Sequence, residues 1–215
     1  MGIGRWVAAG LGIAAVGAVA AYAQYSDTEE APYKVVLEDG EFEVREYPAI
    51  IVAEVTHTGQ RRQARSASFR RLAAYIFGQD RPRGGDKIAM TAPVLSDRVD
   101  QDEKIAMTAP VLQDQTGSDT WRMRFVMPAK YTLETLPAAP PDIILAEVPA
   151  RRMAAVRFSG NAREATLIEM EAKLLDWIAN RGLTTVGGPE YAGYDAPMVP
   201  GPMRRNEVMI EVAAE

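Results

Sequence analysis

The 215-residue chain contains no cysteine and one histidine, His57. Without cysteine there can be no disulfide, no thiolate metal site and no cysteine nucleophile. One histidine excludes His-rich zinc sites and two-histidine iron sites. It leaves a Ser-His-Asp triad only if His57 is the base. Positive charge is also scarce, with 24 Lys and Arg against 29 Asp and Glu and a net charge of −5. That balance argues against a nucleic-acid partner, whose footprint is strongly basic. Phosphate and metal signatures are missing as well. Arg83-Gly-Gly-Asp-Lys87 lacks the spacing and the Ser/Thr of a P-loop, and there is neither a dinucleotide fingerprint nor a His-Glu-x-x-His run.

What remains is ordinary globular composition, 47% apolar and 25% charged. Met1–Ala23 stands apart. Arg5 is its only charge, Trp6–Ala21 is an unbroken apolar and glycine run, and Ala21-Tyr22-Ala23 has the small-x-small pattern of a signal-peptidase site. Residues 1–23 therefore read as a signal peptide or, since the run approaches the ~20 residues that span a bilayer, as an N-terminal membrane anchor. Either places the protein outside the cytoplasm, in a periplasm or on the outer face of the inner membrane. Residues 24–32 are a polar linker, and 33–212 one domain.

Within that domain the order of elements is played twice. Tyr33–Glu38 and Glu41–Tyr47 are strands joined by Asp39-Gly40, a strong hairpin signal. Ala49–His57 is a third strand and Arg61–Phe77 a helix with Phe69, Leu72, Ala73 and Ile76 on one stripe. Trp121–Met127 is a strand, and Tyr131–Leu136 a short helical turn. Strands Ile143–Val148 and Arg152–Phe158 then lead into a helix over Asn161–Arg181, whose apolar arc carries Leu167, Met170, Leu174, Trp177 and Ile178. Tyr191–Val199 and Asn206–Val212 are extended. Pairing Glu46 with Glu147 also pairs Pro48 with Pro149, Ala53 with Ala154, Val55 with Val156, and Gly59 with Gly160. Internal duplication predicts a pseudo-twofold α+β domain with two long helices and a cleft near the axis relating its halves.

The most specific feature is a nonapeptide, Lys87-Ile-Ala-Met-Thr-Ala-Pro-Val-Leu95, repeated identically as Lys104–Leu112. Ile88, Met90, Ala92 and Val94 would share one face of a strand. The proline lacks a ladder donor, so the strand must lie at an edge or bend there. Its methionine reads as an adaptable core residue or, more sharply, as a thioether iron ligand.

With Phe42-Glu-Val-Arg-Glu-Tyr-Pro48, the two nonapeptides, Phe125-Val-Met-Pro128, Val156-Arg-Phe-Ser-Gly160, Tyr191-Ala-Gly-Tyr-Asp-Ala-Pro-Met198 and Arg204-Arg-Asn-Glu-Val208, the chain resembles the bacterial branch of the SOUL haem-binding proteins. The resemblance runs in family order over about 33–212. It implies a distorted β-barrel of two related halves, akin to effector-binding domains. It also implies non-covalent binding of haem or related tetrapyrroles in a hydrophobic cleft beside the first helix, with haem transport or buffering as the role.

A haem needs an apolar wall ending in cations. On the first helix Arg62 and Arg65 share a stripe with Phe69 and Leu72, one to two turns earlier, so a guanidinium can clamp a propionate while Phe69 stacks on the ring. Leu72 and Ala73 would extend that wall, and Met198 and Val199 would face it from the loop before the last strand, with Arg204 or Arg205 adding charge. The plainer reading is arginines reaching from a core stripe into water. A further one is docking of this helix on an anionic membrane beside the N-terminal segment. Iron is less well served. The position some relatives are thought to use for an axial histidine falls at Glu46, leaving His57 as the possible axial ligand, with Tyr75, Tyr191 and Tyr194 as phenolate alternatives. A small-molecule hydrolase or effector-binding module using the same cleft is the competing reading, with Glu190 and Tyr191 as its first pair.

Overall fold

The computed structural model describes residues 28–82, 86–99, 120–195 and 199–214. Residues 1–23, the first four residues of the polar linker and the second nonapeptide lie outside these. Strands β2 (Lys34–Asp39) and β3 (Phe42–Tyr47) form the expected hairpin, with Gly40 at a φ of 63° in its turn. There follow β4 (Ile50–Thr58), α1 (Arg61–Ile76), β5 (Thr91–Ala92), β6 (Val94–Arg98) and β7 (Thr120–Val126). The second half supplies β8 (Ile144–Val148), β9 (Arg151–Ser159), α2 (Glu164–Asn180), β10 (Thr185–Gly193) and β11 (Arg205–Val212). At the end of the linker, β1 (Glu29–Glu30) pairs in parallel with β5.

All the long strands join one nine-stranded antiparallel sheet in the order β2-β3-β9-β11-β10-β6-β7-β4-β8. The alignment of the two halves equates β3 with β8 and β4 with β9, and the order of elements after each helix equates β6 with β10 and β7 with β11. Under that exchange the order from β3 to β8 reads the same from either end, so the pseudo-twofold axis passes between β10 and β6. Each half lends its first aligned strand to the other: β3 pairs with β9, and β8 with β4. The equivalent glycines Gly59 and Gly160 end β4 and β9 at φ of 118° and 110°, a backbone region that disfavours other residues.

Both helices cover one face. Against α2 pack Val44, Ala154, Val156, Val208 and Ile210; against α1 pack Ala53, Val55, Met123 and Phe125. Side chains of opposite parity, including Val52, Val126, Met153, Ala155, Ala192 and Met209, point away from the helices and are buried all the same. Tyr47 near one end of the sheet and Ile50 near the other share that cluster. The sheet therefore curls on itself as a half-barrel, and the fold is α+β.

The arc expected for α2 is the one it buries: Leu167, Met170, Leu174, Trp177 and Ile178. Its first turn starts later than expected, leaving Asn161–Arg163 outside the helix. In α1 the buried stripe is Ala64, Ser68, Leu72, Tyr75 and Ile76, rotated from the expected one so that Phe69 lies on its flank. Ser68 can be buried because His57 Nδ1 lies 2.9 Å from its Oγ. The nonapeptide is not one strand. It is interrupted at Pro93, between β5 and β6. The helical turn expected over 131–136 is a single turn in which Leu136 N–H donates to the Thr132 carbonyl at 3.0 Å, stapled by Thr132 N–H donating to Thr135 Oγ1 at 2.8 Å. β10 begins well before Tyr191, its start concealed by Gly187-Gly188-Pro189, where its pairing with β11 is irregular.

Candidate functional site

A cavity of about 630 Å³ opens beside the flank of α1 that carries Phe69. It sits where β6 and β10 pair across the axis, Val94 opposite Gly193. Phe69, Met90, Ala92, Val94 and Ala162 supply its apolar surface, with Tyr194 beside them. Phe69 is held by an edge-on contact with Phe125, ring centroids 5.4 Å apart. Around these stand Arg62, Arg65 and Arg70 from α1, Arg163 ahead of α2 and Arg204 ahead of β11. Among the described residues one acid, Asp195, lines the same space, and it accepts the Arg205 backbone N–H at 2.5 Å.

Arg204 is positioned by its neighbours: its Nε donates to the Val199 carbonyl at 2.8 Å and its Nη1 to Asn161 Oδ1 at 3.1 Å. The Arg65 guanidinium rests against Gly193, where an added Cβ would sit 3.5 Å from Nη2. Desolvation and the neighbouring Arg204 both push the Arg65 pKa down. Arg62, Arg65, Arg70 and Arg163 have no carboxylate partner among the described residues. The wall therefore presents cationic donors to whatever enters, above an apolar surface.

Tyr194 is fixed from behind. Its hydroxyl donates to Glu207 Oε2 at 2.7 Å, and the Arg205 guanidinium stacks 3.7 Å from its ring centroid. Burial, then the Glu207 charge, raises the Tyr194 pKa and keeps the phenol neutral. Glu207 also meets Arg45 through paired bonds of 2.6 and 3.1 Å. Burial would raise the Glu207 pKa, but the Arg45 bonds and charge outweigh it and hold the carboxylate ionised.

Of the residues expected at a ligand site, the fold brings Arg62, Arg65 and Phe69 together on the cavity. Leu72 has no exposure and packs between helix and sheet. Ala73 is half-buried and not on the cavity wall. Val199 is buried, touching the site only through its carbonyl to Arg204. Met198 lies outside the described residues. His57 is held under α1 by Ser68 and does not line the cavity. Glu46 is exposed on β3. Tyr75 donates to the Pro137 carbonyl and Tyr191 to Glu171 on α2. Adjacent on β10, Glu190 and Tyr191 point to opposite faces, Glu190 toward Arg124 and Arg151 and Tyr191 toward α2. They cannot act as a pair.

Sequence reasoning missed Arg70, Asn161, Arg163 and Gly193. Arg163 had a signal: pairing Gly59 with Gly160 also pairs Arg62 with Arg163, and both line the cavity. Among the described residues no group of His, Cys, Asp or Glu side chains is placed to hold a metal ion.

A family profile described as SOUL heme-binding protein matches residues 28–102 and again 96–211, one match to each half. No curated protein matches the chain. Among solved structures, the chain is similar to the C-terminal domain of EcmrR at 14% identity and a TM-score of 0.57, over 85% of this chain and 99% of that one. An uncharacterized conserved protein from Listeria innocua matches at 13% identity and a TM-score of 0.53, over 80% of this chain and 92% of that one. A hydrolase from Listeria innocua matches at 13% identity and 0.51, over 83% and 94%. At such identities these three share a fold with the chain and nothing more is read from them.

Proposed function

Since the chain belongs to the SOUL haem-binding protein family, we propose that the cavity beside α1 is its tetrapyrrole site and that binding there is non-covalent. The observation that carries this reading is the joining of an apolar surface, Phe69 to Val94, with Arg62, Arg65, Arg70 and Arg163, which have no carboxylate partner among the described residues. The cavity volume falls within the ~300–1,000 Å³ range usual for small-molecule sites. A planar macrocycle lies against Phe69, Met90 and Val94. Arg62 and Arg65 take its propionates through paired, charge-assisted hydrogen bonds.

Haem iron receives little from the described wall. His57 is engaged elsewhere, the Tyr194 hydroxyl is spent on Glu207, and Met90 offers only a weak thioether. The site holds the macrocycle more firmly than the metal, which suits reversible carriage or buffering of haem rather than redox chemistry. On the strength of Met1–Ala23, we place this activity outside the cytoplasm.

Titration of the purified protein with hemin, followed at the Soret band, tests the reading. A saturable shift at micromolar protein is expected. Absence of saturation would overturn it.

A further inference from the structure

The tetrapyrrole reading accounts for two of the cavity's arginines and leaves the others unexplained. Among the described residues five guanidiniums line one space with one acid, Asp195, and Arg62, Arg65, Arg70 and Arg163 have no carboxylate partner there. Such an excess of like charge makes the space electropositive and favours a ligand that brings compensating anionic groups. A dipropionate supplies two carboxylates on one edge.

The arginines are also spread around the rim. Arg62 and Arg163 occupy equivalent positions in the two halves, so the pseudo-twofold brings them to the cavity from opposite sides of its axis. Arg70 lies eight residues beyond Arg62 on α1, about 12 Å along the helix. Arg204, fixed by Val199 and Asn161, faces the ligand space next to Arg65. Two carboxylates on one edge leave some of these arginines without a counter-charge.

Resting on the tetrapyrrole reading, we propose that the preferred ligand is a porphyrin with four carboxylates distributed around its rim, the coproporphyrin class, rather than a dicarboxylate. Arg62 and Arg65 hold one edge, while Arg163 and Arg70 hold carboxylates that a dipropionate does not possess. Arg163 and Arg70 set the specificity without being needed for binding as such.

The test compares iron-free coproporphyrin, with four carboxylates, and iron-free mesoporphyrin, with two, by fluorescence titration of the full chain. Coproporphyrin is expected to bind about tenfold more tightly at low salt, the worth of one added charge-assisted hydrogen bond. It should also lose more affinity as salt is raised. Arg163→Gln and Arg70→Gln, both at exposed positions, should each bring coproporphyrin toward the mesoporphyrin value, with a larger loss for coproporphyrin than for mesoporphyrin. Equal affinity for the two porphyrins, or an equal loss for both in the variants, overturns this proposal and leaves the tetrapyrrole site standing. If neither porphyrin saturates the protein, the underlying reading falls with it.

Discussion

Arg45 and Glu207, on β3 and β11, face each other with 1% and 0% side-chain exposure, joined by two parallel hydrogen bonds of 2.6 and 3.1 Å. They lie on the helix-free face of the sheet, inside the curl. Their pairing ties the hairpin to the strand next to the cavity, since Glu207 also receives Tyr194.

Removing one partner strands the other charge in the interior. Arg45→Ala should cost about 3 kcal/mol of stability, measured as a lowered urea midpoint with unchanged slope. A loss under about 1 kcal/mol would show that water reaches this pair.

The same chemistry sets the acid limit. Burial would raise the pKa of Glu190 and of Glu207, but the charges and hydrogen bonds of Arg124 and Arg151, and of Arg45, bring both below the ordinary 4.5. Their contribution is in place above the unfolded pKa and is lost as the pH falls through the lower folded values. Stability should therefore hold from neutrality to about pH 5 and decline below about pH 4.5. Glu207→Gln should be less stable at neutral pH and show a shallower acid decline. An acid profile unchanged by that substitution would contradict the assignment.

At high pH the sign reverses. Burial and the hydrogen bond to Glu171 raise the Tyr191 pKa to about 12. The stability this contributes is complete below about pH 10, the free phenol value, and is lost toward pH 12. Tyr191→Phe should remove that part of the alkaline unfolding limb, read by far-ultraviolet circular dichroism. An identical limb in the variant would place Tyr191 outside the helix–sheet contact described.

Much of the architecture was legible because duplication leaves a residue-level trace. The glycines at 59 and 160 mark the same strand end in both halves, and apolar periodicity gives the α2 face outright. Strand exchange was not legible, because nothing local in β3 says that it pairs with β9 instead of β4. Nor were Arg45 and Glu207, whose charges read as a solvent-facing alternation until curling of the sheet buries them. On α1 a serine was passed over for the core stripe in favour of Phe69, since its burial depends on a histidine in another element. The cavity mixes legible and hidden parts. Arg62, Arg65 and Phe69 come from one helix, whereas Asn161, Arg163 and Gly193 reach it only through the tertiary fold.

His57 serves α1 and not the ligand space, so Ser68→Ala should destabilise the fold by about 1 kcal/mol and leave hemin affinity unchanged. Parallel denaturation and Soret titrations measure the two effects. A matching loss of affinity would tie His57 to the site.

The central claim is that arginines, and not an iron ligand, hold the tetrapyrrole in the cavity beside α1. Its most direct test is the hemin dissociation constant of the Arg62→Ala, Arg65→Ala double variant set against that of His57→Ala. The account predicts a loss on the order of tenfold or more for the arginine pair and near wild-type binding for His57→Ala. The reverse order, with the histidine variant the weaker binder, would contradict it.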